Sequence, residues 1–131
     1  MSHEAKHHCG VFGMWGAPDS AHRIYMALYA QQHRGQESAG IAVSDGQTLH
    51  SYTGMGLVSD VFDDNVLQQL EGRAGIGHNR YSTTGSSQVS NAQPLLEGYV
   101  GGQVAVAHNG NLINANLLRR GYEERGHIFH T

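Results

Sequence analysis

Glycine is the feature that most limits how this chain can fold. It supplies 18 of 131 residues, roughly double the usual share of about 7%. The glycines are neither periodic nor pooled in a linker, which sets aside collagen-like repeats and low-complexity tethers. Most sit inside short polar motifs, where glycine lets backbone approach a ligand closely or take a positive φ. The chain therefore reads as short elements separated by polar turns.

Those elements can be placed in order. Val11-Phe12-Gly13-Met14-Trp15 is a short apolar run, expected to be a buried strand beginning at or just after Cys9. Residues 17–20 have turn chemistry, with Ser20 a candidate helix cap. Over residues 21–32, Ile24, Leu28 and Gln31 fall at helical spacing, and Gly35 is expected to stop that helix nearby. Residues 38–43 read as a strand, Asp45-Gly46 as a hairpin turn and 48–52 as the returning strand. A short helix follows at 65–70, then a strand at 74–81 that runs into a polar loop, 82–88. A further strand at 104–107 ends on His108-Asn109-Gly110-Asn111. Asn111 or Asn114 then opens a helix closed at Gly126, and Ile128-Phe129 is expected to start a last strand. Strands outnumber helices and hairpins are present, so the expected class is α+β with largely antiparallel sheet.

Composition narrows the function classes. A chain of this length has room for one domain. Eleven acidic against eight basic residues give a net charge of −3, without the basic footprint of a nucleic-acid binder. No apolar run approaches the eighteen or so residues of a membrane span, and the polar opening Met1–His8 is no secretory signal. A single cysteine excludes an internal disulfide framework and multi-cysteine metal sites. The ten histidines are scattered without ligand spacing, so neither a metal nor another cofactor is expected in this segment. These constraints favour a soluble, cytoplasmic domain.

Candidate chemistry gathers in four places. Cys9 stands at the mouth of the first strand, behind an octapeptide with no structural signal. With residues 1–8 removed, its own α-amino group could serve as general base beside the thiol, so one residue would carry nucleophile and base. The bland alternative is a small buried hydrophobe. Gly77-His78-Asn79-Arg80-Tyr81-Ser82-Thr83-Thr84-Gly85 puts a guanidinium at a strand end, suited to gripping a carboxylate in bidentate fashion, or else to a salt bridge. His108-Asn109-Gly110-Asn111 offers a side-chain amide beside a glycine N–H, two donors that could converge on an oxyanion, or simply a turn. Gln32-His33-Arg34-Gly35-Gln36-Glu37-Ser38-Ala39-Gly40 joins the first helix to a strand and carries another arginine.

Taken together, Cys-Gly-Val-Phe-Gly, QHRGQESAGIA, GLVSDVF, IGHNRYSTTGSS, NAQP and AHNGNL, in this order, resemble the amidophosphoribosyltransferase family of class II glutamine amidotransferases from Cys9 to Thr131. Other class II enzymes share only the cysteine, an RG, a GH-x-R and an NG. The resemblance implies the αββα sandwich of the N-terminal-nucleophile hydrolases, incomplete in this chain. It also implies that the chain supplies ammonia from glutamine for phosphoribosylamine synthesis, the first committed step of purine synthesis. Cys9 would attack the glutamine amide, Asn109 and Gly110 would form the oxyanion hole, and Arg80 would hold the substrate α-carboxylate with Thr83 nearby. Arg34 and Gly35 match the segment beside the nucleophile. Alternatives are the glutaminase domain of another class II enzyme, or a non-catalytic domain acting in binding or assembly.

Two features depart from the family pattern. Residues 1–8 precede the cysteine and resemble a propeptide. The chain also stops short of a Ser-Asp-[ST]-Glu segment whose aspartate binds the glutamine ammonium, and of the phosphoribosyltransferase domain. By the same resemblance, phosphoribosyl pyrophosphate and magnesium belong to that second domain, as does any iron–sulfur cluster, and the parent is expected to be a homo-oligomer. The segment by itself is expected to expose apolar faces such as 104–107 and to be inactive.

Overall fold

The computed structural model describes residues 9–32, 35–81, 89–110 and 112–130. Four strands, β1 (Gly10–Trp15), β2 (Gln36–Ser44), β3 (Leu49–Met55) and β4 (Ala74–Tyr81), form one antiparallel sheet in the order β1-β4-β2-β3. A second sheet is the hairpin of β5 (Leu95–Tyr99) and β6 (Gly102–Val106). Helix α1 (Ser20–Gln31) packs on β1, β2 and β4. The short helices α2 (Val58–Val61) and α3 (Asp64–Gln69) follow β3, and α4 (Ala115–Glu123) follows β6. The class is α+β, as expected.

The sequence of β4 explains how α1 docks. Side chains alternate across a strand, so Gly75, Gly77, Asn79 and Tyr81 share one face. A side-chain carbon at Gly77 would collide with Ile24 and Leu28, and one at Gly75 would come within 2.8 Å of Ile24. Both glycines therefore let the helix settle directly on the sheet. The next two residues on that face cap the helix. Asn79 Nδ2 donates to the Leu28 carbonyl (2.9 Å) and the Tyr81 hydroxyl to that of Gln31 (3.3 Å). With Gln32 N–H bonded to the Tyr29 carbonyl, three of the last four helix carbonyls are satisfied. Ile24 and Leu28 are buried with Ile41, Val43 and Val58 in the core this packing creates.

Several expectations need correction at element level. Ser20 is the first helical residue and not the cap; its hydroxyl donates back to the Ala17 carbonyl (2.5 Å). The N-cap is Asp19, whose carboxylate pairs with Arg23 one turn on. Helix α1 ends at Gln31, before Gly35, which takes φ +93° in the following turn. Helix α2 and strand β5 escaped the sequence reading. No described residue from 124 to 130 is in a strand. In place of an Ile128-Phe129 strand, the Phe129 ring lies under the Arg119 guanidinium (4.7 Å) and edge-on to Tyr122 (6.5 Å). Asn114 is the N-cap of α4 but makes no side-chain cap bond, and Asn111 lies outside the described residues. Gly126 closes α4 as expected: it has φ +90°, and Gly126 and His127 N–H bond back to the Glu123 and Tyr122 carbonyls, the paired closure that favours glycine at this position.

The Asp45-Gly46 turn forms as read. Asp45 Oδ1 accepts from the Gln47 and Thr48 N–H groups, both at 2.7 Å, and Oδ2 meets His50 at 2.8 Å. Thr48 N–H first, then His50 and Gln47 N–H, hold the Asp45 carboxyl down at about 2. No helix among the described residues is long and apolar enough to cross a membrane.

Candidate active site

The face of β4 opposite α1 carries His78 and Arg80. Beside it, Cys9 leads into β1, half-buried, with its Sγ accepting from Tyr81 N–H (3.5 Å) and lying 3.8 Å from the Tyr81 carbonyl. Antiparallel pairing of Gly10 with Asn79 produces this juxtaposition. The candidate nucleophile thus lies against the backbone of the residue that follows the candidate carboxylate clamp.

Arg80 is held from two directions. Its Nη1 donates to the Asn91 carbonyl (3.1 Å), and its Nε lies 3.8 Å from Glu37 Oε2, with both side chains mostly buried. Arg80 therefore takes part in an ion pair, and its chain neighbour Tyr81 is the residue whose backbone meets the thiol. The Asn91 bond holds one guanidinium nitrogen in place, and the Glu37 carboxylate balances the charge in this mostly buried setting. Glu37 lies inside the QHRGQESAG motif, but its pairing depends on the irregular register between Gln36 and Ser38 opposite Tyr81 and Arg80. That register is invisible in the linear sequence. Near this bulge, Gln36 Oε1 and Ser38 Oγ are buried and meet no hydrogen-bond partner among the described residues.

Asn109 and Gly110 follow β6 and are exposed. Gly110 has φ +156°, a backbone conformation L side chains rarely adopt, and a side-chain carbon there would press the His108 ring at 3.1 Å. This turn is tied to β4, since His78 Nε2 lies 3.2 Å from the His108 carbonyl. It is tied also to the segment before β5, since His108 N–H donates to Gln93 Oε1 at 2.6 Å. Gly35 is placed in the turn before β2. Arg34, Thr83 and residues 1–8 lie outside the described residues. Among the described residues no group of three or more His, Cys, Asp or Glu side chains could hold a metal ion.

Such a constellation can accommodate acyl transfer. It offers a partly exposed thiol at the start of β1, an arginine on the neighbouring strand β4, and an Asn-Gly segment tied to β4 through His78, the residue types such chemistry uses.

No protein-family model matches the chain. Its curated relatives include an amidophosphoribosyltransferase of Methanocaldococcus jannaschii, 52% identical over 123 residues, covering 92% of this chain and 26% of that protein. Another is the chloroplastic amidophosphoribosyltransferase 1 of Arabidopsis thaliana, 52% identical over 94% of this chain and 22% of that protein. Among solved structures, one described as the allosteric regulatory enzyme of purine biosynthesis superposes with a TM-score of 0.85 at 44% identity, over 91% of this chain and 26% of the other. The glutamine phosphoribosylpyrophosphate amidotransferase of B. subtilis, complexed with ADP and GMP, gives 0.82 at 42% identity over the same shares. The chain spans about a quarter of the length of the proteins it matches. In sequence and in fold alike, it belongs with the amidophosphoribosyltransferases.

Proposed function

We propose that this chain is the glutamine-hydrolysing part of an amidophosphoribosyltransferase, with Cys9 as its nucleophile. One observation carries the reading. In a chain half identical to such enzymes, the lone cysteine lies against the backbone of Tyr81, next to Arg80. Under this reading residues 1–8 are a leader whose removal frees the Cys9 α-amine. That amine takes the thiol proton as Sγ attacks the side-chain amide carbon of glutamine. Negative charge then develops on the amide oxygen, where Asn109 Nδ2 and Gly110 N–H stabilise it. As the tetrahedral adduct collapses, the C–N bond breaks and the amine returns the proton to departing ammonia. Water then hydrolyses the γ-glutamyl thioester, giving glutamate and restoring the thiol.

Under this reading Arg80 supplies the grip on the α-carboxylate, with Thr83 nearby and Arg34 and Gly35 beside the nucleophile. In the whole protein the ammonia displaces pyrophosphate from phosphoribosyl pyrophosphate, giving 5-phosphoribosylamine. Magnesium serves that second reaction, to which no residue of this chain is assigned. The whole protein is read as a cytoplasmic homo-oligomer.

The test is synthesis of phosphoribosylamine by full-length protein carrying this segment, with glutamine or with ammonium as nitrogen source. Both sources should support synthesis, and Cys9→Ala should abolish only the glutamine-dependent reaction. Glutamine hydrolysis without any phosphoribosyl pyrophosphate-dependent product from ammonium would point to a different acceptor. Retention of glutamine-dependent synthesis by Cys9→Ala would refute the assignment.

A further inference from the structure

His108 directly precedes the Asn109-Gly110 turn, and both of its backbone polar groups are held by side chains from other segments. Gln93 Oε1 accepts from its N–H at 2.6 Å, and His78 Nε2 meets its carbonyl at 3.2 Å. Exposed turns ordinarily give these groups to water, so two directed side-chain bonds to one exposed residue restrict its backbone. We infer that Gln93 and His78 are positioning residues, clamping His108 from both sides so that the turn after it presents its donors in a fixed direction. This inference rests on the glutaminase reading, which places the oxyanion at Asn109 and Gly110.

Each half of the clamp is itself anchored. Gln93 belongs to Asn91-Ala92-Gln93-Pro94, a motif to which the proposed chemistry assigns no role. Its backbone is pressed against β2, where a side-chain carbon at Gly40 would collide with the Gln93 carbonyl. The same segment receives the Arg80 bond at the Asn91 carbonyl. Gly40 pairs with His78 across the sheet, so both arms of the clamp start from one point on β2 and β4. His78 is buried, and its Nδ1 meets no hydrogen-bond partner among the described residues. The bond to the His108 carbonyl requires the proton on Nε2, which leaves Nδ1 bare: a neutral ring with one donor, aimed at one acceptor. Burial, foremost, lowers the His78 pKa to about 4, consistent with that neutral form. A turn displaced by even an ångström would aim its donors away from the developing charge.

The experiment uses full-length protein matured to begin at Cys9 and compares two alkylating probes. One is a glutamine-shaped diazoketone, whose ketone oxygen occupies the position of the oxyanion. The other is iodoacetamide, which needs only the thiolate. Gln93→Ala and His78→Leu should slow Cys9 labelling by the diazoketone about tenfold, a modest share of the 10²–10³ lost when such a donor is removed outright. Labelling by iodoacetamide should stay within about twofold, since thiol access is unchanged. Gln93→Glu keeps an acceptor and His78→Gln keeps a donor, so both should recover most of the rate. Gln93 is only half-buried, so its pair of variants decides the matter should His78→Leu fail to fold. Unchanged diazoketone labelling in Gln93→Ala would overturn the clamp and leave the nucleophile standing. A wild-type protein with no preference for the glutamine-shaped probe would overturn the glutaminase reading, and the clamp with it.

Discussion

The sheet that carries α1 and the stretch from β5 to the end of α4 treat their apolar residues in opposite ways. In the first, Leu28 is 0% exposed against Gly77; in the second, Leu117 is 72% exposed. No described residue from 95 to 130 is buried. Core burial is therefore concentrated in the first region, which holds its shape by packing. The second depends on a few directed contacts, such as the Phe129 ring against Arg119 and Tyr122. The candidate site draws on both: Cys9 and Arg80 come from the packed sheet, Asn109 and Gly110 from the exposed stretch. Its rigid half is set by burial, and its other half by hydrogen bonds to His108. The difference separates what stabilises the molecule from what aims its chemistry.

That contrast can be broken in graded steps. Leu28→Ala should cost about 2–5 kcal/mol, because a fully buried leucine leaves a cavity that glycines on β4 cannot fill; denaturant unfolding measures it. Arg80→Lys should raise KM for glutamine ~10–100-fold while ammonium-dependent synthesis persists. It loses a planar two-point contact worth roughly 1.5–3 kcal/mol. An unchanged KM would reduce Arg80 to its pair with Glu37.

A smaller effect depends on pH. Burial first, and neighbouring positive charge after it, lower the His78 pKa from 6.5 to about 4, against the opposing pull of the His108 carbonyl. The native state then keeps His78 neutral while the unfolded chain takes up a proton near 6.5. The unfolded state binds more protons between about 6.5 and 4, so this term destabilises the fold as pH falls through that window. It is absent well above 6.5, and its slope reaches at most ~1.4 kcal/mol per pH unit. Melts of wild type and His78→Gln should diverge below about pH 6.5 and run parallel above it. Parallel curves throughout would place His78 in solvent. Smallest of all, Leu117→Ala should change stability by no more than ~0.5 kcal/mol, and a loss like that of Leu28→Ala would show that the exposed face is covered.

Much of the packed region was legible because its signals are local. The spacing of Ile24 and Leu28, the Asp45-Gly46 turn and the small residues of β4 each specify structure within a few positions. Strand β5 was not legible: Leu95-Leu96-Glu97-Gly98-Tyr99 lacks clean alternation, follows Pro94 and enters its turn through the exposed Val100. Gly101-Gly102 between two apolar runs was the available signal. Helix α2 hid inside GLVSDVF, too short for a helical period. At the site, the residue types of Cys9, Arg80 and Asn109 could be read from motifs. Their partners Glu37, Asn91, Gln93 and His78 could not, because those pairings depend on strand register and on a loop crossing β2.

The central claim is that Cys9 acts with its own α-amine, and it is tested most directly by intact mass and glutaminase rate on the same sample of full-length protein. An amide nitrogen has no basic lone pair to accept the thiol proton, so protein that retains residues 1–8 should hydrolyse glutamine at background rate. Activity should appear in step with a mass loss corresponding to Met1–His8. Full activity in protein whose mass still includes Met1 would contradict the account.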